Sequence, residues 1–576
     1  MSKKNSNPKA DLAAGIIIIA ALTLAIFSVR DDSVTTDESP HITAGYSYLT
    51  QRDMRLNPEH PPLIKDLAAL PLLFQKINFD AEHPAWKKDV NGQWAFGPHF
   101  LFESGNNPDA IAWGARLAVM VIFILLGLLV YKWAKERYGP GASLLALVLT
   151  VFSPNIIAQA RYVTTDVGAA LAFVLAIYFF VKYISQPSKK HLIYAGLAFG
   201  AAQLIKFSLV LLIPLFIFTG FVYWILSRKI SLARLVLSLS TIFIIGYLLV
   251  WPVYQFHVWN YPPQRQKSDT VFHLANYPFK PAGQIVIQMT DKPLLRPYAQ
   301  YALGLLMVFQ RAGGGNTTYF LGEVSNQAWK SYFPIVYLLK EAIPILVLIT
   351  IAVVFALLRS RWSWPGLKFW IGSNFTEFVW LSFIALYWAT SITGNLNIGL
   401  RHVLPTFPFI YLLTAGQITK WMQNLKALKL PVVASMIAWL IVETISIYPH
   451  YLAYFNQWAG GPDKGYIYVA DSNLDWGQDL KRLARYVEEN SIDKIKLDYF
   501  GGSRPEYYLG NKYEKLDAGN VGQRHGWLAV SATLLQGGRA FSPAKGSKQN
   551  TIYYEWLDQY EPTAKIGYSI FVYRLD

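Results

Sequence analysis

The stretch "TTDESPHITAGYSYLTQRDMRLNPEHPPLIKDL", which runs from Thr35 to Leu67, decides the class of this chain. It follows an apolar run at about 11–29 that is long enough to cross a bilayer. It nevertheless carries several acids and imidazoles, namely Asp37, Glu38, His41, Glu59 and His60. Ionisable side chains are costly beside lipid, and where they occur they are typical of functional sites. The stretch therefore predicts a membrane protein whose chemistry lies where its first span ends.

The composition of the whole chain supports this class. Hydrophobic residues make up 53% and charged residues only 15%, and the mean hydropathy is +0.26, a balance that indicates a polytopic membrane protein. The net charge of +16 does not indicate a nucleic-acid partner, because Lys and Arg lie in short tracts between apolar runs. The chain contains no cysteine, which excludes disulfides, thiolate nucleophiles and zinc–thiolate sites.

Apolar runs of spanning length predict about eleven transmembrane helices. We expect the first helix to be retained, because its apolar core is longer than that of a signal peptide and no A-x-A cleavage site follows it. The runs lie at about 11–29, 111–131, 141–159, 166–183, 191–205, 207–227, 234–255, 332–358, 374–392, 403–419 and 431–448.

Basic residues between these runs predict the orientation. One cluster precedes the first span, and the others follow the second, fourth, sixth, eighth and tenth spans. All the clusters therefore lie on one side of the membrane, which the positive-inside rule assigns to the cytoplasm. We therefore expect a multi-pass protein of the cell (inner) membrane with a cytoplasmic N-terminus and an extracytoplasmic C-terminus. The clusters are Lys3, Lys4 and Lys9; Lys132, Lys135 and Arg137; Lys182, Lys189 and Lys190; Arg228, Lys229 and Arg234; Arg359, Arg361 and Lys368; and Lys420, Lys426 and Lys429.

The large polar segments then all face outward. They are a first loop segment at 30–110, a second loop segment at 256–331 and a tail, and we expect a transmembrane domain at 1–449 and a soluble domain at 450–576. The tail shows helical periodicity in "LDWGQDLKRLARYVEEN" and strand patterns in "KIKLDYF", "GWLAVSA" and "YSIFVYRL". The predicted fold class is a polytopic α-helical membrane protein with a small extracytoplasmic α/β domain at its C-terminus.

The tail also contains "DSNLDWGQDL", in which Asp471, Asn473 and Asp475 alternate as calcium ligands can. An EF-hand loop requires Gly at its sixth position, where this chain has Trp476. We therefore expect Ser472, Asn473 or Asp475 to cap the N-terminus of the following helix instead.

The acids of the opening stretch form the first candidate cluster. A partly desolvated carboxylate of Asp37 or Glu38 can take a proton from a hydroxyl group or bind a divalent cation. Two acids alone also fit a solvated start of a loop. The motif "NPEHPPL" favours function, because it holds Glu59 and His60 against Pro61 and Pro62 in a rigid loop before an amphipathic segment.

A second cluster of ionisable residues lies at other outward ends of spans. Arg161 and Asp166 stand in "RYVTTDVGAAL", Lys206 lies between two spans, and Arg401 and His402 stand in "NIGLRHVLPTFPF". Each residue alone fits snorkelling to the membrane surface or capping of a helix. Arg161, Lys206 and Arg401 are exceptions to the preference of basic residues for the cytoplasmic side. Together they predict a phosphate-binding surface on the outer side.

These features together resemble a known group of enzymes. The Asp-Glu pair after the first span, the "HPPL" segment, the Arg and Asp of "RYVTTDVGAAL" and "GLRHVLPTFPF" are similar to bacterial polyprenyl-phosphate-dependent glycosyltransferases of the GT-C fold. That group is related to the protein O-mannosyltransferases and the lipid A aminoarabinose transferases. "TTYFLGEVSNQAWKSYFPIVYLLK" and "DSNLDWGQDLKRLARYV" also resemble stretches of such proteins, so that the likeness covers most of the chain.

The resemblance implies a membrane glycosyltransferase that moves a sugar from a polyprenyl-phosphate donor to a protein, lipid or glycan acceptor, with inversion at the anomeric carbon. It implies Asp37 as catalytic base, supported by Glu38 and Asp166. It implies that the donor phosphate binds to Arg161, Lys206, Arg401 and His402. A divalent metal (Mg, Mn or Zn), if used, would lie on Glu59 and His60.

Two other functions fit the same outward charges. A transporter or flippase of lipid-linked saccharides would use the cations but should show charges along an inner pathway, where only Lys340, Glu341 and Glu443 stand out. A non-catalytic scaffold of the cell envelope would use the tail as its binding module. The transporter would not need the cluster of Asp37 and Glu59.

Overall fold

The structure, a computed structural model, describes residues 7–227, 231–360, 363–423, 426–517, 519–540 and 554–576. Several of the basic residues that predict the orientation lie outside these ranges, namely Lys3, Lys4, Arg228, Lys229 and Arg361.

Long apolar helices make up most of the chain. Within the described ranges, 7 helices are long and apolar enough to cross a membrane, or up to 9 spans are present if each of two bent pairs is one span. The bent pairs are Pro140–Val151 with Pro154–Ala160, at 61°, and Tyr332–Lys340 with Ile343–Arg359, at 114°. The protein is therefore a multi-pass helical membrane protein. The single spans are Pro8–Ser28, Pro108–Tyr138, Asp166–Ser185, Phe207–Ser227, Leu232–His257, Phe375–Thr393 and Ala427–Ser446.

Two of the expected spans are shorter helices. The runs expected at about 191–205 and 403–419 correspond to Lys189–Gln203, with 15 residues, and Phe407–Met422, with 16. At 1.5 Å per residue such helices measure roughly 22–24 Å, less than the hydrocarbon core of about 30 Å. The count of eleven spans stays a prediction. A further short helix of this part is Trp364–Ser373.

Local sequence explains where the long helices begin. The helix Pro108–Tyr138 follows Asn107, whose side-chain oxygen accepts a backbone hydrogen bond from the first turn. The same arrangement recurs where Asn7 precedes the helix Pro8–Ser28. Proline has no N–H group to satisfy at the first helical position, and Asn satisfies the next free donor. Asn-Pro pairs therefore fix both helix starts.

The two loop segments are largely helical. The amphipathic stretch "LIKDLAALPLLF" forms the helix Leu63–Ala69 and a 3-10 turn at Leu70–Phe74, and Phe74 is 92% exposed. The other elements of the two segments are the helices Glu38–Gln51, Pro84–Lys87, Gln93–Pro98, Pro263–Leu274, Lys280–Thr290 and Arg296–Gly314 and the hairpin strands β1 (Thr318–Phe320) and β2 (Glu323–Ser325).

A mixed sheet forms the core of the C-terminal part, and the three strands predicted there are confirmed. Its strands are β3 (Ile495–Asp498), β4 (Tyr513–Lys515), β5 (Gly526–Ser531), β6 (Ala564–Ile566) and β7 (Ile570–Leu575). In the described residues the order is β4-β3-β5-β7-β6, with β3 parallel to β4 and β5, and β7 antiparallel to β5 and β6. The helices of this part are Leu480–Glu489, Pro505–Leu509 and Ala532–Ala540.

The first of these helices begins later than the sequence predicts. The residues expected to cap it lie in and after a 3-10 turn, Asp471–Asn473, and the helix starts at Leu480. The capping prediction is therefore wrong. The side chain of Asp475 instead accepts a hydrogen bond from the backbone N–H of Thr533, at 2.8 Å.

Buried polar contacts join the C-terminal part to the helices. The ammonium group of Lys340, a residue only 3% exposed, donates hydrogen bonds to the carbonyl groups of Leu452, Tyr454 and Asn473. A buried ammonium group is tolerated only when its N–H donors are satisfied. These carbonyl groups therefore hold the C-terminal part against the end of the helix Tyr332–Lys340. The boundary expected between 449 and 450 stays a prediction.

A buried ion pair fixes the first loop segment. The carboxylate of Glu38, which is 0% exposed, accepts bonds from Arg116 Nε at 2.7 Å and Nη2 at 2.6 Å. It also accepts bonds from the backbone N–H groups of Thr35 and Val163. Both carboxylate oxygens are therefore fully used, and the pair ties this segment to the helix Pro108–Tyr138.

We expect Glu38→Gln to lower the free energy of unfolding by about 3–5 kcal/mol, because it removes the carboxylate that pairs with the buried guanidinium group of Arg116. The measurement is thermal unfolding in detergent. The matched control is Lys267→Met, which breaks the exposed pair with Asp291 and should change stability by less than about 1 kcal/mol. Equal melting temperatures for Glu38→Gln and the wild type would contradict this role.

Candidate functional site

A cavity of about 630 Å³ brings together most of the residues that the sequence singles out. Its walls come from the first loop segment, the second loop segment, several helix ends and the C-terminal part. The predicted site residues that line it are Asp37, Glu59, His60, Asp166, Lys206, Arg401 and His402. Their predicted chemical roles stay predictions.

Asp37 lies at the start of the helix Glu38–Gln51, where its carboxylate faces the cavity. Its Oδ2 accepts a hydrogen bond from Arg401 Nη1 at 2.7 Å, in an ion pair. In the part of the chain that is described, the other oxygen, Oδ1, accepts no hydrogen bond. Asp37 therefore combines one fixed oxygen with one that is free for a substrate.

Asp166 and Lys206 extend this ion pair into a chain of charges. Lys206 Nζ donates to Asp166 Oδ1 at 2.7 Å, and Arg401 Nη1 lies 3.5 Å from Asp166 Oδ2. Asp166 is the first residue of its helix, whereas Lys206 is an extended residue between the helices Lys189–Gln203 and Leu212–Ser227. The linked charges Asp37–Arg401–Asp166–Lys206 therefore join parts of the chain that are distant in the amino-acid sequence.

Arg401 is held from behind by the C-terminal part. Its Nε donates to Ser472 Oγ at 3.2 Å, and its guanidinium carbon lies 4.2 Å from the centre of the Trp476 ring. The ring of Trp476 covers one face of the guanidinium group and Ser472 uses Nε. The terminal Nη nitrogens therefore remain available to carboxylates. Sequence reasoning missed Ser472 and Trp476, although both stand in the "DSNLDW" motif that it singled out.

Burial favours the neutral form of the imidazoles in the cavity. Burial lowers the pKa of His41, and burial together with His41 and nearby cations lowers the pKa of His60 well below its usual range. Burial likewise lowers the pKa of His402, and Lys206 and Arg401 add to this effect. His402 therefore adds no positive charge for a phosphate group, although it lines the cavity.

The residues predicted to hold a metal do not fit one. Glu59 Oε1 accepts bonds from Asn91 and Gln93, and its Oε2 pairs with Arg311 Nη1 at 3.3 Å. His60 stacks edge-on with His41 at 5.4 Å between ring centres. Among the described residues, no group of three or more His, Asp and Glu side chains is arranged to hold a metal ion.

Arg161 and Glu38 lie outside the cavity lining. Arg161 is 1% exposed, donates to the carbonyl of Pro449 at 3.0 Å and lies 3.3 Å from Asp32 Oδ2. Its guanidinium group also packs over Tyr451, at 5.3 Å from the ring centre. The structure thus gives Arg161 buried partners of its own, as it does for Glu38.

The charges around the cavity nearly balance. In the described lining, four acids face three cations, and three of the acids are in ion pairs with those cations. A phosphate group that enters therefore meets cations that already face carboxylates. The acids are Asp37, Glu59, Asp166 and Asp471, and the cations are Lys206, Arg311 and Arg401.

The segment 108–253, which begins with the long helix Pro108–Tyr138 and includes Asp166 and Lys206, has a recognised family. It matches the family described as dolichyl-phosphate-mannose-protein mannosyltransferase. The resemblance predicted from the sequence is thereby confirmed over these residues. Comparison with curated proteins gives no match for the chain.

Several solved structures are also similar. The oligosaccharyltransferase AglB from Archaeoglobus fulgidus, in complex with an inhibitory peptide and a dolichol-phosphate, has 11% identity and a TM-score of 0.46, covering 90% of this chain and 71% of that chain. ArnT from Cupriavidus metallidurans bound to undecaprenyl phosphate has 13% identity and a TM-score of 0.31, over 97% of both chains. The Saccharomyces cerevisiae Pmt1–Pmt2 complex has 17% identity and a TM-score of 0.33, covering 44% of this chain and 34% of that chain.

The neutral state of His60 predicts a dependence of stability on pH. The unfolded chain binds a proton at this residue below about pH 6.5, whereas the folded protein does not, so stability falls as the pH drops through that value. We expect the melting temperature to fall between pH 7.5 and 5.5, and to fall less in His60→Gln. The exposed His525 offers a control, since His525→Gln should retain the wild-type fall. Equal falls in all three proteins would contradict a neutral His60.

Proposed function

We propose that the protein is a GT-C-type glycosyltransferase that moves a sugar from a polyprenyl-phosphate donor to a hydroxyl acceptor. The observation that carries the proposal is the linked set Asp37–Arg401–Asp166–Lys206, which places carboxylates and cations together in one cavity. The family match over 108–253 supports the same reaction class. We place this site on the outer face of the cytoplasmic membrane, with the N-terminus inside and the C-terminus outside, as the basic clusters predict.

The donor phosphate is proposed to bind Arg401 and Lys206. Both side chains already face anions, the carboxylates of Asp37 and Asp166, at hydrogen-bond distance. A phosphate oxygen can replace a carboxylate oxygen on a guanidinium or ammonium group at similar geometry. Arg311, with 47% of its side chain exposed, is the cation of the cavity with most freedom to follow the ligand.

Asp37 is proposed to take the proton of the acceptor through its free Oδ1. The acceptor oxygen forms a bond to the anomeric carbon, and the bond from that carbon to the phosphate oxygen breaks. The electron pair of that bond goes to the phosphate, whose added charge Arg401 and Lys206 stabilise. One base and one phosphate on opposite sides of the sugar give inversion at the anomeric carbon.

The direct test supplies radiolabelled undecaprenyl-phosphate sugars and membrane extract to the purified protein in detergent. Release of undecaprenyl phosphate, with label transferred to an acceptor, is expected. Tight binding of the lipid without turnover across the donor panel would instead indicate a flippase or a scaffold.

In this assay we expect Asp37→Asn to lower turnover by about 10²–10⁴-fold, the usual contribution of a positioned base. Binding of undecaprenyl phosphate should not weaken, because Arg401 loses a competing carboxylate. Asp291→Asn, which changes an exposed acid of the second loop segment, is the control and should retain turnover. Full turnover by Asp37→Asn would remove the assignment of the base.

We expect Lys206→Met to weaken binding of undecaprenyl phosphate by about 10- to 100-fold, the worth of one charge-assisted hydrogen bond of about 1.5–3 kcal/mol. Arg161→Met is the matched comparison. Its guanidinium group lies outside the cavity lining, so that the melting temperature should fall while the lipid affinity is retained. Equal losses of affinity in the two variants would contradict the assignment of Lys206, and not Arg161, to phosphate binding.

A further inference from the structure

The turn Asp471–Asn473 brings a carboxylate of the C-terminal part into the cavity, where Asp471 lies among the lining residues. Its backbone has a φ of +55°, in the left-handed region that residues other than glycine rarely adopt. Such conformations persist only where the surrounding structure imposes them, and they cluster at functional sites.

Contacts with the segment before Arg401 impose this conformation. Ser472 Oγ donates to the carbonyl of Ile398 at 2.9 Å, and Asn473 Oδ1 accepts from the backbone N–H of Leu400 at 2.9 Å. A side chain at Gly399 would place its Cβ 2.5 Å from Ser472 Oγ, so only glycine allows this close approach. The turn is therefore fitted to the segment that carries Arg401.

One oxygen of Asp471 is left for a ligand. Its Oδ1 accepts a hydrogen bond from the backbone N–H of Ser472, at 2.5 Å. Its Oδ2 accepts no hydrogen bond and joins no ion pair with any described residue. The other acids of the cavity, Asp37, Glu59 and Asp166, are each paired with a cation. Asp471 therefore differs from them in having no ion pair on either carboxylate oxygen among the described residues.

The surroundings of Asp471 also suit proton transfer. Burial raises the pKa of Asp471 to about 6, while Arg401 and the hydrogen bond from the Ser472 N–H oppose the rise and the charge of Asp37 adds to it. The other charged or titratable groups that face it are Arg311 and Tyr332. A base is most effective when its pKa lies near the working pH.

We propose that Asp471 is a second proton-accepting carboxylate of this site, an inference that rests on the proposed glycosyl transfer. Asp37 Oδ1 takes the proton as the acceptor O–H bond breaks, and Asp471 Oδ2 then accepts that proton from Asp37, which returns Asp37 to its ionised form. The acceptor oxygen then bonds to the anomeric carbon, and the leaving phosphate keeps the electron pair of the broken C–O bond. The C-terminal part thus supplies a catalytic residue.

The test follows the initial rate of undecaprenyl phosphate release between pH 5 and 8, with radiolabelled undecaprenyl-phosphate sugars, membrane extract and the full-length protein. The wild-type rate should rise with pH through about 6, since only the ionised carboxylate accepts a proton. Asp471→Asn should lower the rate at pH 7 by about 10²-fold and lose this rise. Asp471→Glu should restore part of both. Asp463→Asn, which changes an exposed acid before the turn, should behave as wild type.

Several outcomes separate the hypotheses. Unchanged rates in Asp471→Asn, or a retained rise near pH 6, would overturn the inference. A loss explained by weaker binding of undecaprenyl phosphate or by a lower melting temperature would make Asp471 structural and would also overturn it. If the wild type itself transfers no sugar from any donor, the proposed function fails before Asp471 is tested.

Discussion

The guanidinium group of Arg401 meets three parts of the chain that share no local sequence. It binds Asp37 of the first loop segment, lies near Asp166 at the start of a long helix, and stacks on Trp476 of the C-terminal part. Its side chain is only 11% exposed, so this charge is tolerated only because carboxylates and an aromatic face surround it. The positions of the cavity walls depend on these contacts.

A second charged network, centred on Asp32, connects the C-terminal part to the helices outside the cavity lining. Asp32 receives Arg161, Arg482 and the hydroxyl group of Tyr162, while Arg482 also pairs with Asp479 of the C-terminal part. Burial opposes ionisation of Asp32, but the surrounding arginines hold its pKa below the usual range. Since Arg161 and Arg482 both face Asp32, and Arg482 also faces Asp479, this network joins the C-terminal part to the helices and leaves the cavity to other cations.

The structure confirms much of what the sequence predicts about the fold. Asp37, Asp166, Lys206 and Arg401 meet in one cavity because each stands at a span end or in a loop that the charge pattern assigns to one side. Patterns of apolar residues also place β3, β5 and β7 of the C-terminal sheet correctly, whereas they do not predict the short strands β4 and β6. Both predictions depend on properties of short stretches, which act whatever the rest of the chain does.

The sequence by itself determined the membrane class, the long helices, the α/β tail and the span ends and loops at which acids and cations collect. Only the tertiary structure decided that Arg161 turns to Asp32 while Arg401 turns to Asp37, and that Asp471 enters the cavity. Hydrophobic length and charge bias are sums over neighbouring residues, so they can be read along the chain. Ion pairing depends on distances of a few ångströms between separate elements, and packing alone sets those distances.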